Sequence, residues 1–77
     1  MALISDAATA WSSAIELTSD EVWQTRKGSV FVTTTNPPAA SDGISLHENQ
    51  AVRFSAGSMV SYRKEASTEA LIARETV

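Results

Sequence analysis

From residue 14 onward, apolar and polar positions alternate with a period of two. Ile15 and Leu17 are interleaved with Glu16 and Thr18, Ile44 and Leu46 flank Ser45, Val52 and Phe54 flank Arg53, and Val60 and Tyr62 flank Ser61. Such alternation sends successive side chains to opposite faces and predicts strands buried on one side. Two β-rich runs, EVWQTRK (21–27) and SVFVTTT (29–35), and a closing segment, ALIARETV (70–77), complete the pattern. Six to seven short strands, spaced at roughly 8 to 12 residues, predict an all-β fold: a small antiparallel sandwich or barrel. For 69–77 a helix competes with a strand, because Glu, Ala, Leu and Arg are good helix formers.

Between the runs lie turn signals. Arg26-Lys27-Gly28-Ser29 reads as a hairpin turn, and His47–Gln50, Ala56-Gly57 and Glu65–Thr68 as further turns. The longest interruption is NPPAASDG, residues 36 to 43. Pro37 keeps Asn36 out of the helical region, and Asp42-Gly43 restarts the next strand, with Gly43 able to take a positive φ. The stiff Pro37-Pro38 pair serves either as scaffold or as a preformed docking surface. Residues 1–13, MALISDAATAWSS, break the period: Leu3, Ile4, Ala7, Ala8 and Trp11 fall at roughly helical spacing, with Ser5 as a cap. This segment is expected to be an N-terminal arm, either a short helix or extended, leading into a single β domain over 14–77.

Composition narrows the function. At 77 residues the chain buries only about 60 to 65% of its unfolded surface. Small domains commonly add disulfides, a metal or a partner. With no cysteine and one histidine, His47, disulfides, thiolate zinc sites and histidine clusters are excluded, so no cofactor is expected. Association with other chains is the remaining route. Nine acidic against six basic residues, with no basic block, argue against nucleic acid as a partner. No apolar run approaches the roughly 20 residues that span a bilayer. Asp6 interrupts any signal-peptide core, and Ala2 stands where myristoylation needs glycine; no membrane partner and synthesis in the cytoplasm are expected.

Chemistry is sparse. Asp42 and His47 sit at opposite ends of a strand of about five residues, roughly 16 Å apart if extended, so a Ser-His-Asp set is not expected. The chain has no nucleophile elbow, phosphate loop or zincin motif. Ser41-Asp42-Gly43 lacks the ligand series of a calcium loop. The expectation is a protein that is not an enzyme. Among the aromatics, Phe54 and Tyr62 fall on the apolar phase of their strands and are expected in the core. Phe31 is out of phase with Val30 and Val32, and Trp23 stands against Val22, so each either packs on a second face or meets a partner. Trp11 is equally an interface anchor or a core residue. The candidate protein-interface residues are therefore Leu3, Ile4, Trp11, Trp23, Phe31, Pro37 and Pro38.

Residues 20–77 carry an ordered set of turn and strand residues: Gln24, Arg26 and Gly28 as Q-x-R-x-G, then Asp42, Gly43, Ile44 and Leu46 as DG-I-x-L. In this the chain resembles small all-β structural proteins of tailed bacteriophages. It departs from them at Glu48-Asn49-Gln50, where Gly-Glu is usual, which bears on the turn type. The resemblance implies a virion component, foremost a capsid decoration or cement protein bridging shell subunits; a tail or fibre module binding the host surface is the alternative. It implies the major capsid protein or another virion protein as partner, association of copies about a symmetry axis, and a place in the virion after synthesis in the host cytoplasm.

Overall fold

The structure, a computed structural model, describes residues 2–77. It is all-β: β1 (Ala2–Ile4), β2 (Ile15–Glu16), β3 (Glu21–Lys27), β4 (Val30–Thr33), β5 (Ile44–Leu46), β6 (Ala51–Phe54), β7 (Met59–Lys64) and β8 (Leu71–Thr76). Two four-stranded antiparallel sheets, ordered β1-β8-β3-β6 and β2-β7-β4-β5, pack as an open sandwich of eight strands. The strand beyond the expected six to seven is β1. Residues 71–76 are a strand, not a helix. β8 lies between β1 and β3 in the first sheet, where Ile72 and Ala73 are buried.

The topology departs from the expected chain of hairpins. Only β4 and β5 are both consecutive and hydrogen-bonded to each other, and the other six connections cross between sheets. EVWQTRK and SVFVTTT are therefore not a hairpin: the chain turns a corner at Gly28, with φ of 71°. A Cβ at Gly28 would lie 2.7 Å from the Glu69 carbonyl oxygen, so the β3–β4 and β7–β8 crossings run against each other. A left-handed glycine serves a corner as well as a hairpin. Burial decides between them, because crossing sets Trp23 of β3 and Val30 and Val32 of β4 on opposite walls of one core.

That core joins Ile4, Trp23, Phe54 and Ile72 of the first sheet to Val30, Val32, Leu46, Val60 and Tyr62 of the second, with Leu17 just past β2. The Trp23 ring meets Phe54 edge-on at 5.4 Å and Tyr62 at 6.1 Å between centroids, a favoured aromatic geometry. Phe54 and Tyr62 are thus core residues, as their phase predicts. Two interface candidates belong there too. Trp23 is fully buried and Ile4 is 8% exposed, so neither presents a side chain to a partner. The phase of β3 turns Trp23 and Thr25 inward, and pairing of Ile4 with Ile72 draws β1 onto the core edge.

Of the two forms expected for the N-terminal segment, the structure shows the extended one, not the helix. After β1 it runs beside β7. Lys64 N–H donates to the Ala8 carbonyl (2.8 Å), Ser12 N–H to the Tyr62 carbonyl (2.9 Å), and Tyr62 N–H to the Ser12 hydroxyl (3.0 Å). It then enters β2, where Ile15 pairs with Val60.

Candidate functional site

The sandwich has two outer faces, and the sequence-predicted interface residues divide between them, the core and the β4–β5 loop. On the second sheet, Phe31 of β4 and Arg63 of β7 are register partners. With Val30 and Val32 turned inward, both project outward. The segment beside β7 delivers Trp11 to the same place. The Arg63 guanidinium carbon lies 4.3 Å from the Phe31 ring centroid and 5.1 Å from that of Trp11, so the cation is held between two ring faces. Its Nε is buried without a hydrogen-bond acceptor. The ring quadrupoles therefore stand in for lost water, a contact worth about 1 kcal/mol or more when desolvated.

The same cluster closes over the loop 34–43. Trp11 Nε1 donates to the Ala39 carbonyl at 2.9 Å, and Arg63 Nη2 donates to that of Ala40 at 3.3 Å. Within the loop, Asp42 Oδ2 accepts from Ala39 N–H at 2.7 Å, and Asp42 N–H donates back to the Ala39 carbonyl at 3.1 Å. Gly43 has the expected positive φ, 103°. A Cβ there would lie 2.9 Å from the Trp11 ring and 3.0 Å from the Val32 carbonyl oxygen. Pro37, after a cis peptide bond, is exposed, and Pro38 is half-buried. Trp11, Phe31 and the proline loop, distant in sequence, thus form one unit around Arg63, a residue the sequence reading did not single out. Its phase opposite to Val60 and Tyr62 signals an outward side chain. Nothing local signals that Trp11 covers it.

The first sheet's outer face carries no such cover. Leu3, Ala73, Gln24 and Ala51 lie on one rung across β1, β8, β3 and β6. Leu3 is 57% exposed. A shallow groove is lined by Val22, Gln24, Arg26, Ala51, Ala73 and Glu75. A register shift between Thr25 and Lys27 places Arg26 at a bulge, which re-aims a side chain at a sheet surface.

Ionisable groups elsewhere are committed to holding the chain together. The Glu21 carboxylate accepts from Arg74 Nε at 2.8 Å and Nη2 at 3.0 Å, and from Trp23 Nε1 at 3.0 Å. The Arg74 bonds above all, helped by Trp23, hold its carboxyl below the usual glutamate range against the opposing effect of burial. Asp20 is likewise held low, first by Ala56 N–H and then by Arg53. Burial, with the bond to Asp6 at 2.7 Å, pushes the Tyr62 hydroxyl up to about 12. His47 Nδ1 sits 2.9 Å from the Ser29 hydroxyl, while the Asp42 carboxylate is bound to Ala39 in the loop. Among the described residues, no three His, Cys, Asp or Glu side chains converge as metal ligands.

No family model matches the chain, and no curated protein or solved structure matches it. Function must be argued from surface and topology.

Proposed function

We propose that the chain is a non-enzymatic structural protein of a virion, a decoration or cement protein that docks on the assembled capsid and bridges neighbouring subunits. The observation that carries this reading is where the exposed apolar side chains lie. Leu3 is on β1, an edge of the first sheet, and Ile44, 51% exposed, is on β5, an edge of the second. Free edges are normally blunted with charge or proline. Apolar side chains on both favour burial against other chains, which suits a small domain without cysteine. The phage-like pattern over residues 20–77 supports a capsid as the body that supplies the neighbours. A protein that binds only the assembled shell stabilises it by linkage.

Co-sedimentation of the purified chain with assembled shells, and separately with dissociated capsid protein, tests the reading. Binding to shells alone, a rise in their heat resistance, and loss of both with Ile44→Asp are expected. Equal binding to dissociated subunits, or binding to host cells and not to shells as a tail or fibre module would show, overturns it.

A further inference from the structure

We infer that the outer face of the first sheet is a two-fold interface with a second copy of this chain. The charges on this face are arranged to match themselves. Along the strands, Glu75, opposite Val22, lies at one end of the groove and Arg26 at the other, with Gln24 and Ala73 between them. The ion pairs among the described residues are Lys27–Glu69, Arg53–Asp20 and Arg74–Glu21. Among the described residues, neither Arg26 nor Glu75 has an opposite charge within ion-pair reach, although each stands on a strand.

A two-fold axis lying in the face, along the rung Leu3–Ala73–Gln24–Ala51, reverses the strand direction of the second copy. Each Arg26 then comes over the partner copy's Glu75, two ion pairs from one operation, as an isologous interface requires. Neighbouring strands are only about 4.8 Å apart, an offset that long Arg and Glu side chains span. The same axis sets Leu3 against its own symmetry mate and covers an exposed leucine. Ala73 and Ala51, on the rung itself, keep the centre of the face low, so two sheets can approach. Arg53 does not disturb the match, because Asp20 already neutralises it at 3.0 Å. Four strands about 4.8 Å apart, of three to seven residues each, make a small face, which suits a weak pairing at the low end of specific interfaces.

The pairing deepens the assembly reading above, yet it is measured without any shell, so its failure leaves shell docking through β5 untouched. Sedimentation velocity on the full chain, from about 1 μM to about 1 mM, spans the range for an interface of this size. Arg26→Glu and Glu75→Arg each set like charges in contact and should weaken the dimer about tenfold or more, whereas the double reversal should restore it to within about threefold. Leu3→Asp should weaken it as strongly. Circular dichroism checks each variant's fold; should a single reversal unfold, the double reversal and Leu3→Asp still decide. A wild-type chain that stays monomeric to about 1 mM, or a dimer indifferent to these changes, overturns the inference.

Discussion

On the second sheet Phe31, Arg63 and Trp11 are stacked on one another and tied to residues 39 and 40, whereas on the first sheet Arg26 and Glu75 are exposed with no opposite charge among the described residues. Both faces are outer surfaces of four-stranded sheets in one small domain. The difference lies in what the chain spends on itself. The second face takes a tryptophan, an arginine and the only hairpin loop, and becomes a second, minor packing layer. The first is left with alanines, Leu3 and two unneutralised charges. Covered aromatics add to the stability of the monomer; bare matched charges contribute nothing until another surface meets them. Sequence alone assigns Trp11 and Phe31 to the same class as Leu3, and the structure separates them.

The contrast can be tested against the interior the two faces share. Glu21→Gln should cost most, about 3 kcal/mol in urea unfolding, because it leaves Arg74 facing a weaker partner at the rim of the core. The same group sets an acid dependence. Its folded carboxyl is below the ordinary value of 4.5, so its stabilisation is complete above that range and is lost as pH falls through the folded value. Glu21→Gln should lack this part of the acid slope, and an unchanged slope would remove Glu21 from the explanation. Next in size, Trp11→Ala should cost about 2 to 3 kcal/mol, since its ring is only partly buried. Gln24→Ala, at the centre of the first face, should stay within about 0.5 kcal/mol. Equal costs would erase the distinction between the faces. Between these two in size, Gly43→Ala should cost about 1 to 2 kcal/mol, through its positive φ and the crowding of Trp11. The near-ultraviolet signal of the tryptophans should change with it, and no change in either would mean the loop is not clasped.

The strand positions were legible because alternation is a local signal. The phases of Val60 and Tyr62, and of Val52 and Phe54, identify the core side correctly, and Val30 and Val32 turn inward as their shared phase implies. The pairing was not legible. Arg26-Lys27-Gly28-Ser29 has the same chemistry whether it folds a hairpin or turns a corner between sheets, and only the core decides. β1 was missed because three residues paired to a distant strand leave no periodic trace. Helical spacing in MALISDAATAW is a coincidence of small residues in a segment that pairs first with β8 and then with β7. Leu3 and Ile4 illustrate the limit: adjacent and chemically alike, they differ from 57% to 8% exposure because a strand sends neighbours to opposite faces. Arg63 and the unneutralised pair Arg26 and Glu75 were invisible for a related reason. A charge looks the same in sequence whether or not a partner from elsewhere reaches it.

β8 pairs with both β1 and β3, so of the eight strands the last to leave the ribosome is the one that holds the first sheet together. Until it emerges, β1 has no neighbour and β3 has only β6, while the second sheet already has all four of its strands. The clasped face can therefore form during synthesis, and the bare face exists only once the whole domain has been made. The proposed pairing surface is thus the last part of this domain to be completed.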